Sequence, residues 1–378
     1  MNKYFIITFI IQFISAISFA QTVSYQTFEP GATWKDNNGV HMNVHGGGIL
    51  YHRGVYYWYG EHKVAGKPGN QAQVGVHCYS SKDLYNWIDE GIVLHVDTTP
   101  GSILEKGCII ERPKVIYNKK TKKFVMWFHY EKYGNSYNSA QSGVAISDNP
   151  TGKFSLIKVF RPNAGTWPLN VLSMHKTLGF NTVNAEYHGG MCSKDIDSVN
   201  FVGRDFTEGQ MARDMNLFVD DDGKAYHIYS SESNGTLHIS QLTDDYLSCS
   251  GKWIRIFPGR FNEGAAMFKR KGYYYLFMSG CTSWNPNPGR SAMAKSIWGP
   301  WKELGNPCVD ADSATTYHSQ STFVLPVKGK RDTYIYMGDR WTPKNPIDGR
   351  YVWLPIHFDK KRPILNWYKK WSLNCFKY

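Results

Sequence analysis

The chain has 378 residues, a formal charge of +12 and 15% aromatic side chains, including 25 Tyr and 13 Trp; that length gives one large all-β domain, or two ordinary ones, an ample core. The basic residues cluster in turn-like segments (Lys119, Lys120, Lys122, Lys123; Lys269, Arg270, Lys271; Lys360, Lys361, Arg362) with no nucleic-acid motif beside them, which argues for solvated turns or an anionic polysaccharide and against nucleic acid. Seven cysteines, an odd number without metal-type pairing, argue against zinc and read as mostly buried thiols, the disulfide pattern staying open.

Residues 1–20 read as a signal peptide. Lys3 precedes an apolar run from Tyr4 to Ile17, and Ser18-Phe19-Ala20 supplies the small residues expected before a cleavage after Ala20. The run is short for a transmembrane helix. The product is expected in the periplasm or outside the cell, as a monomer free of the membrane. Residues 21–378 show no linker and read as one domain.

From residue 45 one pattern occurs five times: a polar head, a short apolar run, a turn and a Tyr/Phe/Trp-rich strand. The copies open at His45 (HGGGILYHRGVYYWYGE), Glu111 (ERPKVIYNKKTKKFVMWFHYE), Asp214 (DMNLFVDDDGKAYHIYSSE), Glu263 (EGAAMFKRKGYYYLFMSG) and Gln320 (QSTFVLPVKGKRDTYIYMGDRW). Gly54, Asp220-Asp221-Asp222-Gly223, Gly272 and Gly329 mark the turns. Each copy is followed by a second pair of β segments, so a unit holds about four strands. Five such units predict an all-β, five-bladed β-propeller. The second unit is oversized, and its surplus at 163–207 reads as a large loop laid over one face, with Trp167, Leu169, Val171, Leu172 and Phe180 packing it down.

In a propeller the innermost strands line the central channel, so the five heads should converge at one end of it. Three carboxylates sharing that basin would push their pKa values apart, leaving one protonated as an acid beside one that stays ionised. That is what general-acid cleavage of a glycosidic bond needs. Residues ending the first hairpins should form the rim: Glu61, Tyr130 with Glu131, Ser231 with Glu232, Thr282 to Asn285 with Trp284, and Asp339, Arg340 and Trp341. Carboxylates and amides there would hold sugar hydroxyls, and Trp284 or Trp341 could stack on a ring. His45 reads equally as a sugar contact or as a structural bond to its glycine-rich strand.

The five-copy layout, RDMNLFVDDDGKAYHIY and the Glu opening the fourth unit resemble family 43 glycoside hydrolases, five-bladed propellers that hydrolyse glycosides with inversion. NVHGGGILYHRGVYYWYGE, ERPKVIYN and HSQSTFVLP resemble its exo-β-1,3-galactanase branch more narrowly. The resemblance implies that Glu263 is the general acid and Asp214 the carboxylate that orients it and raises its pKa. It implies that Gln320 holds the attacking water, through its imidic-acid tautomer in one proposal, and that Glu111 binds substrate. The wider family opens blade one with an Asp base, which His45-Gly46-Gly47-Gly48 lacks, as does the galactanase branch. Asn262-Glu263-Gly264-Ala265 also departs from the more usual Glu-Ala-Pro around the acid.

The expected function is therefore exo-acting, inverting release of a terminal galactose or related sugar from plant-type polysaccharide such as β-1,3-galactan, the 163–207 loop narrowing the site to a pocket. A neutral amide is a poor base, so Glu111, Glu61 or Asp339 stays open as the group that activates water. A galactofuranosidase or arabinofuranosidase, or a non-catalytic sugar-binding propeller, are the alternatives. The substrate-binding set is expected to be Glu111, Glu61, His45, Tyr130, Thr282, Trp284, Asp339 and Arg340. No metal or other cofactor is expected to be required, although His318 stands where some family members approach a channel cation.

Overall fold

The computed structural model describes residues 24–66, 69–71, 73–182 and 195–376; the leader at 1–20, Cys192 and residues 183–194 of the insertion lie outside them. The described strands form five four-stranded antiparallel sheets, each built from consecutive strands. The first holds β1 (His45–His52), β2 (Val55–Lys63), β3 (Gln73–Ser81) and β4 (Ile88–His95); the second holds β5 (Ile109–Asn118), β6 (Lys123–Glu131), β7 (Gln141–Ser147) and β8 (Ser155–Phe160). The third holds β9 (Met215–Val219), β10 (Ala225–Ser231), β11 (Thr236–Leu242) and β12 (Cys249–Ile256); the fourth holds β13 (Asn262–Arg270), β14 (Tyr273–Gly280), β15 (Arg290–Ala294) and β16 (Lys302–Gly305). The fifth holds β17 (Gln320–Pro326), β18 (Tyr334–Arg340), β19 (Arg350–Asp359) and β20 (Arg362–Leu365).

The first hairpins of blades one and four turn through Arg53-Gly54 and Lys271-Gly272. All four residues have positive φ (48°, 88°, 47° and 75°), as the two-residue turns that match strand twist require. The inner strands β1, β5, β9, β13 and β17 neighbour one another in turn, and β17 meets β1 again. The five-bladed ring expected from the repeat is thus closed.

Cores lie between the blades. Trp58, Trp87, Tyr351 and Trp353 fill the seam between blades one and five with Phe28 and Trp371. Burying a side chain of this kind contributes roughly 1.5–3 kcal/mol. Phe28 and Trp371 also exchange backbone hydrogen bonds of 2.7 and 3.0 Å, latching the two ends of the chain where the ring closes. Across the channel, Asn216 on β9 donates to the carbonyl of Thr322 on β17 (3.0 Å).

The inner strands of four blades are irregular where they begin. Pairing shifts just after His45, Glu111 and Glu263, and after Ser321 in blade five. In blades one, two and four the residue after the head has positive φ: Gly46 58°, Arg112 55° and Gly264 60°. Such bulges bend a strand and re-aim its side chains. Arg112 holds this conformation without being glycine, at a local cost. Gly46 has no alternative, since a Cβ there would collide with the Glu61 carboxylate.

Among its described residues, the insertion after β8 carries three short helices, α1 (Ser173–Thr177), α2 (Ile196–Val199) and α3 (Phe201–Arg204). It first runs along the outer edge of blade three: Leu169 N donates to Trp253 O (2.8 Å), and Asn170 exchanges hydrogen bonds with the Arg255 backbone (2.7 and 3.0 Å). Arg255 then binds both Glu232 of blade three (2.7 Å) and Asp197 of α2 (2.8 Å), tying the insertion down by charge. Trp167 packs on Phe206 (4.3 Å) and Phe180 on Phe201 (5.3 Å). Leu169 and Leu172, expected to pack, are 58% and 43% exposed instead; backbone pairing at Leu169 does the work assigned to its side chain.

Candidate active site

A cavity of about 1150 Å3 opens at one end of the channel. Glu61, Glu111, Asp214, Glu263, Thr282, Trp284 and Gln320 all line it. The heads of blades two to five and part of the expected rim are therefore brought together.

Glu263 sits at the start of β13. Its Oε1 accepts from Asn234 Nδ2 (2.9 Å) and from the Cys281 thiol (3.3 Å). Burial, followed by the charge of Asp214, raises its pKa to about 7. Asp214 is fixed by the Arg112 guanidinium (2.9 Å) and by the backbone N–H of Gly264 (3.0 Å), the residue after the acid. A carboxyl that keeps its proton near neutrality thus lies beside a carboxylate held by two donors.

Gln320 Nε2 donates to Ser279 Oγ (2.9 Å), and its Oε1 accepts from Arg112 Nη2. The amide orientation follows from chemistry, because guanidinium offers only donors and must face the oxygen. Arg112 Nη1 continues to the Ser321 carbonyl (3.1 Å). Its backbone N–H binds Glu61 Oε1 (2.9 Å), and its guanidinium lies 5.5 Å from the Trp341 ring. One arginine therefore holds the acid's neighbour and the water-holding candidate together. Nothing in the segment Glu111-Arg112-Pro113-Lys114 marks Arg112 for this role in the sequence alone.

Glu111 lies opposite His129 in the β5–β6 ladder. Its Oε2 is 2.8 Å from His129 Nδ1, while Tyr137 OH (2.7 Å) and Asn70 Nδ2 (2.5 Å) donate to Oε1. His129 Nε2 reaches Glu131 (2.8 Å). Burial alone would push Glu111 up, but His129, Lys63 and Tyr137 outweigh it and hold the carboxylate down at about 2. Burial would likewise lower His129, yet the two carboxylates raise it to about 9. Glu111, His129 and Asp214 bring three potential metal-ligand atoms within 4.8 Å of one another. However, both His129 nitrogens are engaged by carboxylates, so the ring serves as a bridging cation and not as an open ligand. Glu61 pairs with Lys63 (2.8 Å).

Four expected substrate contacts lie elsewhere. Tyr130 is 2% exposed and donates to the Ile103 carbonyl; strand alternation turns it to the opposite face from His129 and Glu131. His45 is buried beneath the Trp341 ring (5.4 Å), and burial lowers it to about 3. Asp339 is buried below the floor, accepts from Gly46 N (2.5 Å), and is raised by burial to about 7. Arg340 points away, donating to the Tyr317 carbonyl (3.1 Å) over Trp367 (5.3 Å). His318 is exposed on a turn before β17 and does not line the cavity. Lys114 stands beneath the site, donating to the carbonyls of Gly46 (2.7 Å) and Arg112 (3.2 Å). Gly48 leaves room for its stem, where a Cβ would collide.

Trp341, Tyr137, Asn234, Asn70 and Cys281 also line the cavity. The cysteines among the described residues are all free, with Cys78, Cys108 and Cys308 buried.

The sequence profile of glycosyl hydrolases family 43 matches residues 189–355. The fold is similar to a family 43 β-1,3-galactosidase solved with galactodeoxynojirimycin, at 48% identity, 92% coverage of this chain, 100% of that one and a TM-score of 0.85. It is also similar to an exo-β-1,3-galactanase from Clostridium thermocellum (37% identity, 91% and 66% coverage, TM-score 0.73). A third similar structure is an exo-β-1,3-galactanase from Phanerochaete chrysosporium solved with β-1,3-galactotriose (29% identity, 92% and 68% coverage, TM-score 0.72). A β-D-galactofuranosidase from Aspergillus niger is 27% identical over 159 residues, a match spanning 42% of this chain and 46% of that protein.

Proposed function

The chain belongs to glycoside hydrolase family 43, and we propose that it is an exo-acting, inverting β-1,3-galactosidase. The observation that carries this reading is the Glu263–Asp214 pair at the cavity floor, with Glu263 raised to about 7, in a chain 48% identical over its length to a β-1,3-galactosidase. Glu263 protonates the departing glycosidic oxygen. Asp214, held by Arg112, keeps that proton available through its charge. Gln320 orients the water. Its oxygen, already facing one Arg112 donor, keeps a second lone pair for a water O–H. The proton the water loses as it attacks the anomeric carbon passes to a carboxylate of the cavity, Glu61 or Glu111, and Glu263 regains its own from solvent once the products leave. Glu111, Glu61, Tyr137 and Thr282 supply polar contacts for the sugar.

The leader-like residues 1–20 support export. Arg112, which places a fixed positive charge among the carboxylates, supports a reaction without a resident metal. The Aspergillus niger relative favours a second reading, release of galactofuranose, over a smaller part of the chain.

The test is hydrolysis of β-1,3-galactobiose, β-galactofuranosides and α-L-arabinofuranosides followed by NMR. Galactose released first as the α-anomer from the galactobiose, and preferred over both furanosides, is the expected result. Initial β-galactose contradicts inversion, and preference for a furanoside contradicts the pyranose assignment.

A further inference from the structure

The cavity exceeds the ~300–1,000 Å3 usual for small-molecule sites, and its two ends differ in charge. The channel end presents Glu61, Glu111, Asp214 and Glu263. The insertion end presents Arg161, Arg204 and Arg213 beside Phe180 and Phe201.

A chain of contacts sets the basic wall on the acid's side. Asn234 binds Glu263 (2.9 Å), and its neighbour Ser233 touches Met211 Sδ (3.9 Å). Met211 Sδ in turn lies 3.1 Å from Arg204 Nη2. Arg204 holds Asp205 through two nitrogens (2.6 and 2.7 Å), and Arg161 stands 3.7 Å from the same carboxylate. The general acid must face the departing part of the substrate, so that part lies along this wall.

Among the described residues the wall is net positive. Asp205 is shared by two arginines. Glu131, the other carboxylate that reaches Arg161, is already bonded to His129. The arginines are also pre-organised. Arg204 lies over Phe180 (4.9 Å) and Phe201 (4.6 Å), and Arg161 is pinned by the carbonyls of Ser139 (2.9 Å) and Asn138 (3.0 Å). Their side chains are nonetheless 32% and 23% exposed. Guanidinium groups held this way recognise carboxylates and tetrahedral oxyanions such as phosphate and sulfate esters.

We propose that this wall binds an anionic substituent, a uronate carboxylate or a sulfate ester, on the sugar that departs, so that acidic branched galactan is preferred over neutral galactan. The proposal rests on the β-1,3-galactosidase reading. It is tested with three β-1,3-galactobiosides whose departing galactose carries a uronic acid, a sulfate or a neutral glucosyl group at O6. The expected kcat/KM ratio of an anionic to the neutral substrate is about tenfold at low salt, or ~1.4 kcal/mol. It should fall toward one near ~0.5 M NaCl, and also in Arg204→Gln and Arg161→Gln. A general loss of folding cannot move this ratio. Whichever anion gains more identifies the group recognised. A ratio of one for both anions, or a ratio insensitive to salt and to both variants, overturns the proposal. Failure to hydrolyse plain β-1,3-galactobiose sinks the earlier reading instead; calorimetry of the three substrates on Glu263→Gln protein, with the same preference expected, then still decides this one.

Discussion

Replacing Asp214 with Asn should move the basic limb of the kcat/KM pH profile to lower pH. Glu263 must be protonated to act, so activity is present below its pKa and lost as pH rises through about 7. At pH 7 such a group is about half protonated, whereas at the ordinary 4.5 only about one molecule in 300 would be. Burial is the first cause of the elevation and Asp214 the second, so Asp214→Asn should lower the pKa partway. Arg112, relieved of its 2.9 Å partner, then acts on Glu263 in the same direction. A fall of about one unit, ~1.4 kcal/mol, cuts the acid fraction about fivefold at pH 7 and nearly tenfold at pH 8. The assay is kcat/KM on β-1,3-galactobiose from pH 4 to 9. The limb position is the readout, since lost positioning lowers the whole curve without shifting it. A limb that stays put, or moves upward, refutes the assignment of Asp214 as the group that tunes the acid.

Three further predictions follow from the site. Arg112→Gly relieves the 55° φ but frees Asp214 and Gln320 together and leaves Asp214 without its buried partner; kcat/KM should fall at least ~100-fold and stability by about 3–5 kcal/mol, less the small strain that glycine relieves. His129→Ala leaves Glu111 and Glu131 facing an empty space and should cost about 3–5 kcal/mol in urea denaturation. Glu111 is lowered from 4.5 to about 2 and His129 raised from 6.5 to about 9. The wild-type advantage is therefore full between pH 4.5 and 6.5, and declines toward pH 2 on one side and pH 9 on the other. Gly46→Ala meets both the 58° φ and the Glu61 carboxylate; it should destabilise by about 1–2 kcal/mol and raise KM for galactobiose.

The ring of blades was legible because each unit repeats the same alternation, with turn glycines at matched places. Convergence of the heads was legible for Glu111, Asp214, Glu263 and Gln320 for the same reason. His45 failed because the positive-φ Gly46 bulge leaves it under Trp341 while Glu61, its β2 partner, reaches the cavity. Tyr130 and Arg340 failed because rim positions alternate in direction along the strand. Counting by twos along β6 from Glu131 selects His129 and passes over Tyr130, a signal the sequence did contain. Tyr137 and Asn234 come from connections between strands, which no periodicity orders. Arg112 was hidden by its place on a bulge, where blades one and four use glycine.

The central claim is that Glu263 supplies the proton to the departing oxygen. Fluoride departs without protonation, so β-galactosyl fluoride separates that role from every other. Glu263→Gln should lose ~100- to 10,000-fold in kcat/KM on β-1,3-galactobiose while keeping most of its turnover of the fluoride. Equal losses on the two substrates would contradict the account.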